Sequence, residues 1–182
     1  MADFLGMWAT IIAVGAAAIG VIVHVRSPRE LPDALAAHAV LPTALVRPVA
    51  TMVAIAEVGL AVTVVMASIL GSNPVAVVAL VALAVLFAGY AGYLHRVAST
   101  GRSVPCGCSL SREPVTGWTV VRAASFALAA AIGAAATPIA TLPGDPASWT
   151  IVVPAAAATL ILLWTLPAAM RQFDPRGARW TS

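Results

Sequence analysis

The sequence predicts an all-α integral membrane protein, a bundle of four core transmembrane helices followed by a fifth, carboxyl-terminal one. Three observations lead there. Hydrophobic residues make up 61% of the 182 and charged residues only 9%, with a mean hydropathy of +0.97, which leaves too little polar surface to solvate a globular domain. Five stretches, at residues 4–25, 45–70, 74–97, 117–139 and 149–170, each supply the roughly 20 apolar residues that cross a bilayer as helix. All 10 basic residues are arginine, and they fall only in alternate connections.

The first span, 4–25, has no basic residue before it and arginines after it. That pattern marks an uncleaved helix with an external amino terminus rather than a signal peptide. Pro28 and Pro32 end it. The segment 28–42 carries Arg29, Glu30, Asp33 and His38 among Leu31, Leu35 and Val40, so it reads as a short helix at the membrane interface, placed to roof the bundle. The second span, 45–70, stops at Gly71, where Asn73-Pro74 marks a tight turn into the third, 74–97. The longest polar connection follows. The fourth span, 117–139, ends at Pro138, and Pro143-Gly144-Asp145-Pro146 lead into the fifth, 149–170. The chain thus divides into a bundle over 1–141, an additional helix over 142–172 and a tail over 173–182. Alanine runs at 16–18, 129–136 and 155–158 fit either close helix packing or compositional bias.

Arg26, Arg29 and Arg47 lie between the first two spans. Arg96, Arg102, Arg112 and Arg122 surround the connection between the third and fourth, and Arg171, Arg176 and Arg179 follow the fifth. The positive-inside rule then puts the amino terminus outside a plasma membrane and the carboxyl terminus in the cytoplasm. The net charge of +3 is accounted for by topology, and no nucleic-acid partner is implied.

Chemistry concentrates in Pro105-Cys106-Gly107-Cys108, within that long connection. Cys106 and Cys108 are the only cysteines of the chain. Two cysteines placed at random would fall two apart only about 1% of the time, so joint use is the expected reading. The arginine pattern puts them on the cytoplasmic side, where structural disulfides are not expected. A disulfide across Gly107 needs a tight turn, and the strained ring makes it a labile oxidant or transfer intermediate. Arg102 and Arg112 favour thiolate, with Glu113 opposing. The rival reading is a soft metal ion, copper or zinc, held by Cys106 and Cys108 with His38 and His95 from the same side.

Glu57 is the ionisable residue deep in a span. Its insertion cost, about 3 kcal/mol on translocon scales, predicts that it faces the bundle interior. Arg122, about one turn inside the fourth span, is its expected partner, either as a structural ion pair or as part of a proton relay. Gly89-Tyr90-Ala91-Gly92-Tyr93-Leu94-His95-Arg96 places two phenols near the same interface. They serve as membrane anchors, or Tyr93 and His95 hold a quinone headgroup.

These residues resemble the MauE family of methylamine-utilisation membrane proteins, within the wider DoxX-like group of small helical bundles. The likeness runs over about 4–138. It is carried by the short helix leading to Leu41-Pro42, by Ile55-Ala56-Glu57-Val58-Gly59-Leu60, by Arg96 with Gly101-Arg102 and Cys106-Gly107-Cys108, and by Arg122 opening the fourth span. The resemblance implies a redox-associated membrane protein that acts with a thioredoxin-like partner in forming or handling disulfides. Family members typically follow Cys-Gly-Cys with an aromatic residue and glycine, where this chain has Ser109-Leu110-Ser111, and the fifth span lies outside the four-helix core.

The sequence therefore supports a thiol-disulfide oxidoreductase or electron carrier using Cys106 and Cys108, with Glu57, Arg122, Gly107 and Arg102 in support. No cofactor is required, and a quinone or a soft metal remains open. The alternative is a non-catalytic accessory or assembly subunit of a larger membrane complex, with Cys-Gly-Cys as a metal clasp or structural turn. A transporter is a weaker third reading, since five spans without a repeat and one buried carboxylate give it little to work with.

Overall fold

A computed structural model describes residues 2–101, 104–107, 114–137 and 146–171. Among them the chain forms six helices, α1 Ala2–Arg26, α2 Glu30–His38, α3 Thr43–Ile69, α4 Asn73–Ala98, α5 Gly117–Ala136 and α6 Pro146–Arg171. All but α2 are long and apolar enough to cross a membrane, and they match the five expected spans to within a few residues. The protein is a multi-pass membrane protein. The segment 142–145 and the tail from 172 lie outside the described residues, as do Arg102, Cys108, Arg112, Glu113, Arg176 and Arg179.

The turns follow from local chemistry. Gly71 takes a left-handed φ of 68°, a conformation open to glycine at no steric cost. Pro74 then sits in the first turn of α4, where its missing N–H would have no helical partner in any case. Thr116 caps α5 through a reciprocal capping box with Thr119. α2 closes at Ala39 in the left-handed region, so the chain reverses sharply before Leu41-Pro42.

α1 is the central helix, packed against α3, α5 and α6, and α5 also packs against α4. Small residues make this possible. Ala9, Ala13, Ala16 and Ala17 of α1 are buried with Ala129 and Ala130 of α5 and Ala156 of α6. At Gly6 and Gly133 the backbones approach so closely that an added Cβ would meet Ala136 Cβ at 2.5 Å and Thr10 Oγ1 at 2.7 Å. The alanine runs are thus packing surfaces, as membrane helices require where lipid offers no hydrophobic drive. Exposed Met52, Ile55, Val78, Val85, Leu128 and Ile161 cover the outside with a surface suited to a lipid bilayer.

α6 is not an appendage. It packs on both α1 and α5, and Leu160 fills the notch at Gly15. Since successive spans run antiparallel, Arg26, Arg47, Arg96, Arg122 and Arg171 all lie toward one end of the bundle, and α2 lies at that same end.

Candidate functional site

The cysteine segment is folded back onto that end. Gly101, with φ 68°, turns the chain after α4. Val115 N then donates to Val104 O at 2.8 Å beside a bridge between Pro105 and Pro114. This closure drives Cys106 inward. It is 2% exposed and packs with Leu94, Val97, Val115 and Ala123.

Gly107 lies directly beneath α2. A Cβ there would meet Ala34 Cβ at 2.7 Å and Leu31 Cα at 3.1 Å, so glycine is required by the close approach. The short helix does roof the site. His38, buried on α2, ties the roof to the floor, with Nε2 2.9 Å from the Pro105 carbonyl and Nδ1 2.9 Å from the Tyr93 hydroxyl.

A carbonyl can only accept, so Nε2 of His38 carries the proton. Burial holds the imidazole below its ordinary value of 6.5, with the Pro105 hydrogen bond opposing. At neutral pH His38 is therefore uncharged and Nδ1 accepts from Tyr93. The sign of the pH effect follows. Between the lowered folded value and 6.5 the unfolded chain binds a proton that the folded chain does not, so stability falls as pH drops through that window and is unaffected above it. Thermal unfolding in detergent between pH 7.5 and 5.5 is expected to show this loss, at most about 1.4 kcal/mol per pH unit, and His38→Gln is expected to flatten it.

Arg122, 4% exposed, is held just inside α5. Its Nη2 donates to Cys106 Sγ at 3.8 Å. Its Nη1 reaches the Trp164 carbonyl at 3.5 Å, and the guanidinium lies 5.0 Å from the centroid of the Trp164 ring, within cation–π range. Phe126, one turn further along α5, stacks with the indole at 6.0 Å. A buried cation is thus placed against a buried sulfur, an arrangement that favours thiolate.

The expected pairing of Glu57 with Arg122 is not what the structure shows. Glu57 Oε1 accepts from Tyr90 at 2.9 Å, and Oε2 lies 3.2 Å from Nε2 of His24. The carboxylate is level with Gly20, where a Cβ would meet Oε2 at 2.9 Å. That places it about 9 Å from the arginine end of α1, within reach of His24 one turn further on. Glu57 and Arg122 still share a space, since both line a cavity of about 40 Å³ together with Tyr90 and Trp164.

A larger cavity of about 230 Å³ lies between α2, α3 and α4, lined by His24, His38, Glu57, Tyr90, Tyr93 and Gly107. Its remaining wall is apolar, with Leu31, Leu35, Val49 and Val53. His95 is exposed on α4 and lines neither cavity. Among the described residues no three His, Cys, Asp or Glu side chains converge on a metal position. Cys108 and Arg102 fall outside them.

The profile of the family described as Methylamine utilisation protein MauE matches residues 2–136. The chain belongs to the MauE family. No curated protein and no solved structure matches it. The MauE region holds Glu57, Cys106, Gly107 and Arg122, whereas Trp164, which secures Arg122, stands beyond it on α6.

Sequence reasoning gave Tyr90 only an anchoring role and His24 only a place at the interface, and it missed Trp164. Trp164 had a readable signal: it lies two turns before Arg171 and Arg122 somewhat more than one turn after Gly117, so both sit at one depth. His24 had a weaker one, as a titratable residue in the last turn of a span one turn beyond a glycine.

Proposed function

We propose that this MauE-family protein is a membrane thiol-disulfide redox protein that oxidises a dithiol of a thioredoxin-like partner through Cys106 and Cys108. The observation that supports this reading best is Arg122 against Cys106 Sγ. A guanidinium in a buried site is costly unless it meets developing or standing negative charge, and a thiolate leaving group supplies that charge.

The reaction runs in two exchanges. A partner thiolate attacks Cys108 Sγ of the Cys106–Cys108 disulfide, the S–S bond breaks, and Cys106 leaves as a thiolate beside Arg122. The partner's second thiolate then attacks the partner sulfur of the mixed disulfide and releases Cys108. The partner ends as a disulfide and the pair as two thiols, with two electrons moved. Because Cys106 is buried against α4 and α5, contact with the partner goes to Cys108 on this reading and the leaving-group role to Cys106, and a low-pKa leaving thiol departs fastest. The arginine asymmetry supports a plasma-membrane protein with this chemistry on the cytoplasmic side.

The test is covalent capture. In membranes treated with diamide and quenched with acid before the partner's second thiol can displace it, Cys106→Ser, which cannot close its own disulfide, is expected to yield a partner disulfide-bonded to Cys108. Alkylation before and after diamide is expected to show two thiols converting to none. If both thiols stay reduced under every oxidant and no partner is captured, the reading fails. One zinc or copper ion per chain, lost in Cys108→Ser, would overturn it in favour of a metal clasp in an accessory subunit.

A further inference from the structure

We infer that the 230 Å³ cavity between α2, α3 and α4 binds the headgroup of a lipid-soluble para-quinone, the acceptor that reoxidises the Cys106–Cys108 pair. The inference rests on the redox reading above and names its second substrate. Three observations carry it.

The first is size and lining. Sites for drug-sized ligands occupy about 300–1,000 Å³, so 230 Å³ admits one ring or a fused pair rather than a whole lipid. The walls from α2 and α3 are aliphatic, with polar groups converging from few points, the pattern of a ligand site. Val49 and Val53 border the outer face of α3, where Met52 and Ile55 are 70% and 65% exposed. An isoprenoid tail on that side lies in the bilayer.

The second is the pair of phenols. Tyr90 and Tyr93 are three residues apart on α4, hence on one face, and both line the cavity. Each is backed by a separate proton-exchanging group, Tyr90 by Glu57 at 2.9 Å and Tyr93 by His38 at 2.9 Å. Behind Glu57 stands His24 at 3.2 Å. A ligand matched to this has two oxygens that gain or lose protons on an otherwise apolar frame, which describes a quinone and its hydroquinone.

The third is adjacency to the thiols. Gly107, between the two cysteines in sequence, is itself a lining residue, and Glu57, Tyr90 and Leu94 also line the smaller cavity that Arg122 bounds. The residue next to Cys106 is thus part of the cavity wall.

The chemistry balances. Two S–H bonds break and one S–S bond forms between Cys106 and Cys108. The quinone takes two electrons and two protons, forming two O–H bonds, and leaves as hydroquinone. The two thiol protons pass through water to the Glu57 carboxylate and to Nδ1 of His38, and each of these groups returns a proton to its phenol as Tyr90 and Tyr93 protonate the two ring oxygens.

The experiment uses the full chain in lipid nanodiscs, with the pair reduced by a thiol reagent that is then removed. A short-tailed benzoquinone and a short-tailed naphthoquinone are added separately, and thiols and hydroquinone are counted by alkylation and absorbance. At least one quinone is expected to convert two thiols to a disulfide with one hydroquinone formed. Val53→Trp, which fills the cavity, is expected to slow this at least tenfold while oxidation by diamide stays at the native rate. Val49→Phe serves the same purpose should Val53→Trp misfold. Tyr93→Phe is expected to slow quinone reduction by a larger factor than it weakens quinone quenching of tryptophan fluorescence, which is read in Cys106→Ser where no electrons move.

Thiols that respond to diamide but to neither quinone overturn this inference and leave the redox reading intact. So does equal quinone reduction by the cavity-filled variants. Thiols that respond to no oxidant overturn the redox reading itself.

Discussion

Replacing Arg122 with methionine is expected to slow alkylation of Cys106 by iodoacetamide at pH 7 about tenfold. Methionine keeps the unbranched stem and most of the volume of the side chain, so the change removes the charge with limited repacking. An opposite charge within about 4–6 Å favours an ionised group by one to three pKa units, and Arg122 stands 3.8 Å from Cys106 Sγ. The thiolate fraction at fixed pH should therefore fall tenfold or more, partly offset because a more basic thiolate is a better nucleophile. The measurement is made in Cys108→Ser, where Cys106 alone reacts, with a denatured control that should not distinguish the variants. Arg122→Lys should recover part of the rate, because the ammonium retains the charge but not the flat contact with the indole. Equal rates in the native and methionine chains would mean that the guanidinium does not act on the sulfur, and the proposed leaving-group role would fall with it.

Glu57→Leu is expected to carry the largest stability loss. The carboxylate is 3% exposed and serves two partners on two other helices, Tyr90 of α4 and His24 of α1. Removing one member of a buried polar pair while leaving the other in place costs about 3–5 kcal/mol. For a chain of this size that corresponds to a fall in melting temperature of about 10 °C. Glu57→Gln should lose less, since its amide oxygen still accepts from Tyr90 while its contact with His24 loses charge. A double-mutant cycle with His24→Phe should be clearly non-additive. Additive losses would show that His24 and Glu57 do not interact, and native-like stability of Glu57→Leu would remove the cluster from the account of the fold.

The five spans and the roofing helix were legible because each depends on quantities local in sequence. Residues 45–70 announce a span by length and hydropathy alone, and Pro28 to Pro42 stands out because charge interrupts the apolar pattern. The arginines at one end were readable for the same reason. Glu57 and Arg122 were also visible, as polar side chains where lipid or packed helix was expected, and Cys106 as half of a closely spaced cysteine pair. Who meets whom was not. α1 and α3 are apolar on every side, so their sequences carry no face that fixes rotation about the axis. Arg122 was a reasonable partner for Glu57 by charge, but rotation of α1 turns Gly20 and His24 toward α3 and gives the carboxylate a nearer neighbour. Rotation of α5 turns the guanidinium toward Cys106 and α6. His95, two residues beyond Tyr93 on a helix, is carried to a different face, out of both cavities.

The position of Trp164 on α6 has a consequence for the order of events during synthesis. Chains emerge amino terminus first, so α1 to α5 and the cysteine segment are in place before α6 is made. Until then Arg122 lacks the indole and the carbonyl that fix it, and its charge has a looser hold beside Cys106. The thiol acquires its final electrostatic surroundings only when the last span is seated.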